Sequence, residues 1–128
     1  MTSLIPYIVF PGNCREAMQF YVESLHGEIS SIQTYGESPI DVPKEMEYRI
    51  FDTTLKAGNI SIKASDNLPN YPVQEGTNIS LFVTFEDREL KEEVFTNLSE
   101  EGKVMFPLDD NFGMLKDKYG IQWMFVNA

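Results

Sequence analysis

The chain has 128 residues, of which 42% are hydrophobic and 23% charged, and its formal net charge is −10. This length and composition are typical of one globular domain that buries its own core. The charge argues against nucleic acid as a partner, because binding that polyanion relies on clustered Lys and Arg. No apolar run approaches the ~20 residues of a membrane span, so we expect no membrane partner. The N-terminus lacks a basic segment followed by an apolar one, so we expect no signal peptide and a cytoplasmic location.

In chain order, the elements predicted for the first half are a strand at 5–10, a helix that Asn13 caps and Gly27 ends, and strands at 29–35, 46–55 and 59–64. A segment with little periodicity, 66–76, follows as a linker. The pattern then restarts with a strand at 78–85, a helix that Asp87 caps and Gly102 ends, and strands at 103–106, 112–116 and 121–126.

The two halves repeat the same order of elements. Gly27 and Gly102 are 75 residues apart, and Phe20 and Phe95 show the same offset. A repeat of this length indicates a duplicated βαβββ unit. We therefore predict an α+β fold in a single domain of residues 1–128, with halves of about 1–66 and 77–128, because neither half is large enough to bury a good core alone.

The cysteine and histidine content limits the chemistry. Cys14 is the only cysteine and His26 the only histidine, which excludes an internal disulfide and a Cys/His zinc site. Cys14 lies in the first turn of a predicted helix, where the helix dipole can lower a thiol pKa, but a small residue tolerated at a helix start is the simpler interpretation. His26 is interpreted as a cation near the C-terminal end of the same helix.

Three segments resemble a known family. They are the opening PYIVFPGNCREAMQFY at 6–21, the loop TYGESP at 34–39 and the final hairpin FGMLKDKYGIQWM at 112–124. Together with ASD at 64–66, they resemble the PhnB-like branch of the vicinal oxygen chelate superfamily, which includes glyoxalase, bleomycin- and fosfomycin-resistance proteins and extradiol dioxygenases. Some members carry a methyltransferase label, which this chain does not support, since it has no glycine-rich loop of the kind that cradles a nucleoside cofactor.

The resemblance implies the architecture and the place of binding. Two four-stranded modules curl into an open eight-stranded cup with two outer helices, substrates bind in the cup, and members are commonly homodimers. Metal ligands in this superfamily are normally His, Glu or Gln on the first, fourth, fifth and eighth strands. The corresponding positions here are Pro6, Lys63, Asn78 and Met124. Pro and protonated Lys offer no lone pair, Met is a soft thioether and Asn offers one oxygen, so we expect no metal and no cofactor.

The predicted ligand-binding residues are those assigned to the cup-facing sides of the strands: Ile8, Lys63, Asn78, Phe82, Gln122 and Met124. Lys63 would be a cation in a partly apolar pocket and would need an anion beside it, which either Asp52 or a carboxylate or phosphonate ligand can supply. Asp52 has three interpretations: a general base, a hydrogen-bond anchor or an exposed strand residue. Trp123 either packs under a helix or, if the final hairpin is bulged, lines the cup.

Three classes of function follow from these residues. The leading hypothesis is a protein that binds a small, partly apolar or anionic molecule without the usual metal. The alternative is a glyoxalase-type lyase or isomerase in which Asp52 is the base or a metal ligand. The third is a structural or regulatory dimer that binds no ligand.

Overall fold

The computed structural model describes residues 2–127, which belong to two compact units, the first ending at Val73 and the second beginning at Gln74. Each unit contains one open four-stranded sheet and one twelve-residue helix, in the order βαβββ. The predicted duplication and the α+β class are therefore confirmed. None of the helices in the described chain combines the length and the apolar character that crossing a bilayer demands.

The first unit comprises β1 (Tyr7–Phe10), α1 (Cys14–Leu25), β2 (Glu28–Thr34), β3 (Ile50–Ala57) and β4 (Ile60–Asp66). Its strand order is β1-β4-β3-β2, and only the β1–β4 pair is parallel. The helix α1 covers one face of this sheet. Tyr21 from the helix and Leu55 and Ile62 from the strands are at most 1% exposed, so this face holds the core of the unit.

The second unit comprises β5 (Leu81–Phe85), α2 (Arg88–Ser99), β6 (Lys103–Phe106), β7 (Phe112–Lys116) and β8 (Gln122–Asn127). Its strand order, β5-β8-β7-β6, repeats that of the first unit, with a parallel β5–β8 pair. Leu98 from α2 and Leu115 and Phe125 from the sheet are fully buried.

Trp123 belongs to the core of the second unit, which is the first of the two orientations that the sequence left open. It is 1% exposed, and its indole Nε1 donates to Asp117 Oδ2 at 2.9 Å. The alternative orientation, toward a ligand, is wrong, because β8 pairs with β7 in regular register from Gln122 onward and contains no bulge.

The two helices begin differently. Asp87 caps α2 as predicted, since its carboxylate accepts the backbone N–H groups of Glu89 and Leu90. Asn13 occupies the predicted N-cap position of α1, but its side chain makes no capping hydrogen bond. The backbone N–H of Cys14 instead donates to Asp66 Oδ1 at 2.8 Å. A carboxylate from the end of β4 therefore satisfies the first N–H group of α1, and the side chain of Asn13 satisfies none.

The glycines that follow the helices allow a close approach between helix end and sheet. A Cβ on Gly27 would lie 2.7 Å from the carbonyl oxygen of Lys56, and a Cβ on Gly102 would lie even closer to that of Lys116. Both positions therefore exclude any larger residue without movement of the backbone. His26, rather than Gly27, takes the left-handed conformation that ends α1, with φ of 57°. The repeated glycine in the sequence thus reflects the same packing requirement in both units, namely a close approach between the chain after the helix and a strand carbonyl.

Candidate functional site

Each sheet has one face covered by the helix of its own unit and one face, here called the open face, that this helix leaves uncovered. In the first sheet, the strand register places Tyr7, Lys63 and Thr54 side by side in one row. Their neighbours in the next row, Ala64 and Thr53, are at most 1% exposed and lie on the α1 side. Because side chains alternate along a strand, the row of Tyr7 lies on the open face.

Four side chains on this face form one hydrogen-bonded cluster, here called the Lys63 cluster: Tyr7, Asp52, Thr54 and Lys63. Lys63 Nζ donates to Asp52 Oδ2 at 3.1 Å and to Thr54 Oγ1 at 2.8 Å. The Tyr7 hydroxyl donates to Asp52 Oδ1 at 3.1 Å. Of the two anions that the sequence left open for Lys63, Asp52 or a ligand, the structure shows Asp52 beside the ammonium group.

The cluster is half-buried and has no net charge. The side chains of Lys63 and Asp52 are 32% and 33% exposed, so both remain accessible to a ligand. Burial raises the pKa of the Tyr7 phenol, a hydrogen bond from Ser65 opposes this shift, and the nearby Asp52 carboxylate adds to it. The phenol is consequently protonated at neutral pH and acts as a donor to Asp52.

The arrangement favours holding a ligand over accepting a proton. Within residues 2–127, two of the three ammonium protons of Lys63 have acceptors, which leaves one donor for an incoming group. Both oxygens of Asp52 already accept a hydrogen bond. Asp52 can act as a base only after it releases Tyr7 or Lys63, so this geometry fits the hydrogen-bond anchor among the three interpretations of Asp52.

Ile8 does not lie on the open face, which corrects its predicted role in ligand binding. Its register partner is Ala64, which is fully buried, and Phe10, two residues on, is 2% exposed on the α1 side. Tyr7 and Val9 lie on the open face instead. The sequence 6–10 is apolar or aromatic throughout, so alternation of polarity cannot identify its two faces, and an error of one residue reverses them.

Two further predicted ligand residues have different surroundings from those expected. β5 begins at Leu81, so Asn78 lies exposed ahead of the strand rather than on it. Gln122 is 5% exposed, and its Nε2 donates to the carbonyl oxygens of Thr77 and Ile79 at 3.2 and 3.1 Å. These bonds attach the segment that precedes β5 to strand β8. They also leave the Gln122 amide nitrogen no free proton for a ligand.

The open face of the second sheet carries an apolar row of side chains. Across its strands the register aligns four side chains in one row, Phe82, Met124, Met114 and Phe106. Phe82 and Phe106 are 63% and 54% exposed. Phe82 and Met124 thus share the open face as expected, and their part in binding stays a prediction. Met114 and Phe106 were missed, although the alternation along β7 and β6 carries the signal.

The residues at the expected metal positions do not fit a metal ion. Lys63 presents an ammonium group paired with Asp52, and Met124 lies in an apolar row. Among residues 2–127, no three His, Cys, Asp or Glu side chains come together in a group able to hold a metal. Sites for zinc or manganese require several nitrogen, thiolate or carboxylate donors.

Comparison with known proteins identifies the family. Residues 2–126 match the family model described as 3-demethylubiquinone-9 3-methyltransferase. Protein PA1353 from Pseudomonas aeruginosa is 32% identical, with a TM-score of 0.88 over 100% of this chain and 98% of that one. The PhnB protein from Bacillus cereus is 29% identical, with a TM-score of 0.80 over 99% and 100% of the two chains.

A more distant similarity concerns the fold alone. The fosfomycin resistance protein FosX from Listeria monocytogenes, solved with Mn(II) and 1S,2S-dihydroxypropylphosphonic acid, is 9% identical, with a TM-score of 0.68 over 98% of this chain and 92% of that one. The resemblance drawn from the three sequence segments is therefore confirmed. The chain belongs to the PhnB-like family whose model is described as 3-demethylubiquinone-9 3-methyltransferase, and it shares the fold of the vicinal oxygen chelate superfamily.

Proposed function

We propose that the chain is a binding protein that holds a small, partly apolar anion at Lys63, on the open face of the first sheet, without a metal ion. The observation that carries the proposal is the Lys63 ammonium, held by Asp52 and Thr54 at 3.1 and 2.8 Å with one proton left to donate. It occupies the position on the fourth strand at which the resemblance implies a metal ligand. A fixed cation there attracts the same oxyanions that a metal would.

The apolar part of the ligand would rest on β1. Tyr7 and Val9 lie on the open face beside Lys63 and are 48% and 43% exposed. Because Tyr7 and Lys63 each donate to one oxygen of Asp52, the carboxylate is solvated by the protein before a ligand arrives. Its repulsion of an incoming anion is thereby reduced, although not abolished. An aromatic or aliphatic carboxylate or phosphonate has the required chemistry.

Methyl transfer, the activity in the family description, is not the function we propose. The sequence has no glycine-rich loop of the kind that cradles the phosphates or ribose of a nucleoside cofactor. The Lys63 cluster offers donors and a fixed charge, which suit the binding of an anion rather than of a nucleoside.

A glyoxalase-type lyase or isomerase is the second candidate. The observation in its favour is that Asp52 lies one third exposed on an open sheet face with the Tyr7 hydroxyl 3.1 Å away. The two candidates differ in the outcome for Asp52→Asn. If Asp52 only anchors Lys63, removing its charge removes a competitor, and the variant should bind anions more tightly than the parent protein. If Asp52 is a base, turnover of the substrate is lost.

Titration calorimetry with phenylphosphonate, an aromatic ring joined to an oxyanion, tests the proposal. We expect saturable binding that weakens about tenfold or more in Lys63→Met, which removes the charge but keeps the stem, since a charge-assisted hydrogen bond is worth roughly 1.5–3 kcal/mol. Lys44→Met makes the same change of charge at an exposed position of the first unit and should bind as the parent does. Equal affinity in Lys63→Met would show that the cation is not the anchor.

We also propose a homodimer, which the resemblance implies, and, from the length and N-terminal composition of the sequence, a single cooperative domain and a cytoplasmic location. Multi-angle light scattering on the purified chain tests the first of these: a mass of two chains is expected, and a monomer at all concentrations would refute it.

A further inference from the structure

The second unit contains a cleft of about 340 Å³ where β5 runs into α2. It is lined by Phe85, Glu86, Arg88, Lys91, Asp110 and Asn127. Phe85 stacks on Phe125 at 5.6 Å, and Phe125 is a core residue beneath α2. The cleft therefore lies on the helix side of the second sheet, whereas the Lys63 cluster belongs to the first sheet.

Lys91 is the unusual residue in this cleft. It is 2% exposed, so its ammonium group has lost nearly all of its water. Its Nζ donates to the backbone carbonyl of Asp110 at 3.3 Å and to Asn127 Oδ1. Both of these acceptors are neutral. A buried cation is costly unless a negative group is close, and an apolar side chain of similar length would fill the space at lower cost.

The nearby carboxylates do not neutralise Lys91 directly. The Asp110 carboxylate is paired with Arg88, whose side chain also contacts Glu92. Backbone N–H groups of Asn111 and Phe112 hold the pKa of Asp109 below its usual range, and Lys91 contributes least to that shift. Within residues 2–127, no carboxylate forms a salt bridge with Lys91 Nζ, and two of its three protons are used. The third proton and the positive charge are left for another group.

We propose that this cleft is a second ligand site, which takes the carboxylate of a small molecule on Lys91 with support from Arg88, and packs the apolar part of that molecule against Phe85. A volume of about 340 Å³ lies at the lower end of the range for small-molecule pockets. Lys91 and Arg88 balance Glu86 and Asp110 in formal charge. The lining, in a chain of net charge −10, therefore disfavours a phosphate dianion relative to a monocarboxylate.

Backbone NMR shifts of the full chain, titrated with sodium benzoate, test this proposal. We expect saturable shifts confined to the residues around the cleft, at 85–91, 110–112 and 127, and weaker shifts there with inorganic phosphate. Lys91→Met should weaken benzoate binding about tenfold or more, as the loss of a desolvated charge partner predicts. Lys118→Met, which changes the same charge elsewhere in the second unit, should leave binding unchanged.

Arg88→Gln provides a variant that leaves the buried positions intact, should Lys91→Met fail to fold. The Arg88 side chain is 69% exposed, so its replacement spares the core, and we expect benzoate binding to weaken several-fold. Shifts that do not saturate, that map to the Lys63 cluster, or that persist unchanged in both Lys91→Met and Arg88→Gln would overturn the proposal. Loss of phenylphosphonate binding at Lys63 has no bearing on these outcomes.

Discussion

The backbone N–H of Cys14 donates to Asp66 Oδ1 at 2.8 Å, which joins the first residue of α1 to the last residue of β4. The other carboxylate oxygen, Oδ2, accepts the N–H of Ile50 at 2.9 Å, at the start of β3. Asp66 is 2% exposed. One buried carboxylate thus fixes the beginnings of a helix and of a strand to the end of another strand.

Replacing Asp66 by Ala should lower the free energy of unfolding by about 3 kcal/mol or more, because two buried N–H groups lose charged acceptors. Urea unfolding followed by circular dichroism measures the change. Asp41→Ala, at an exposed loop position, is the matched control and should stay within about 0.5 kcal/mol of the parent. A stability loss equal to that of the control would mean that water replaces the carboxylate.

Stability should fall at alkaline pH because of Cys14. Burial, reinforced by the negative charge of Asp66, raises the pKa of its thiol from 9.0 to about 12. Between these values the unfolded chain releases the proton and the folded chain keeps it, so the unfolded state is favoured as pH rises. The expected slope reaches at most about 1.4 kcal/mol per pH unit.

Guanidinium unfolding at a series of pH values from about 8 to about 11 measures this slope. Burial also raises the pKa values of Tyr7 and Tyr35, which adds a fall of the same sign above about pH 10. Cys14→Ala should therefore abolish the fall between about pH 9 and pH 10 and leave a shallower fall above about pH 10, caused by the tyrosines. A parent protein whose midpoint is constant over this interval would show that the thiol is not buried as described.

Sequence reasoning succeeded where one local rule determines the outcome. Local residue types alone predict that Gly27 and Gly102 follow the two helices and that Asp87 caps α2. The bounds of β6 and β7 are also predicted without error. It failed where the decisive contact is distant in sequence. Asn13 has the character of a cap and stands at the cap position, but its side chain bonds no N–H of the helix, and the first N–H, that of Cys14, is satisfied by the distant Asp66.

In the candidate site, too, local rules predict some features, and contacts distant in sequence determine the others. The need of Lys63 for a counter-ion follows from the sequence, because an unaccompanied cation on a half-buried strand is costly, but the choice of Asp52 over a ligand comes from the structure. Ile8 was assigned to the wrong face, since only the β1–β4 register determines which side chains of an apolar strand point which way. Gln122 fixes a segment whose path no local pattern predicts.

Substituting either helix-terminal glycine should be costly to the same degree. Gly27→Ala and Gly102→Ala each place a Cβ against a lysine carbonyl oxygen on the adjacent strand, and we expect losses of about 1–3 kcal/mol for each. Gly76→Ala meets only an Asn78 side-chain oxygen at 3.7 Å, an ordinary contact, and is the control. Differential scanning calorimetry of the three variants and the parent protein measures these losses of stability. If the two glycines match only by coincidence of sequence, the stability losses of Gly27→Ala and Gly102→Ala should differ widely.

Trp123 permits a test of the proposed single domain. It is the only tryptophan, and it is buried in the second unit. If residues 1–128 fold as one domain, unfolding followed by its fluorescence should coincide with unfolding followed by far-UV circular dichroism, which reports both units. Two separated transitions would indicate that the units unfold independently.

In the proposed function, the Lys63 ammonium takes the place of a metal ion at the binding site. The most direct measurement is the divalent metal content, by mass spectrometry, of protein purified without chelator and dialysed against each candidate ion. We expect far less than one metal ion per chain. Zinc, nickel or manganese at one ion per chain, retained through gel filtration and lost on chelation, would contradict this expectation.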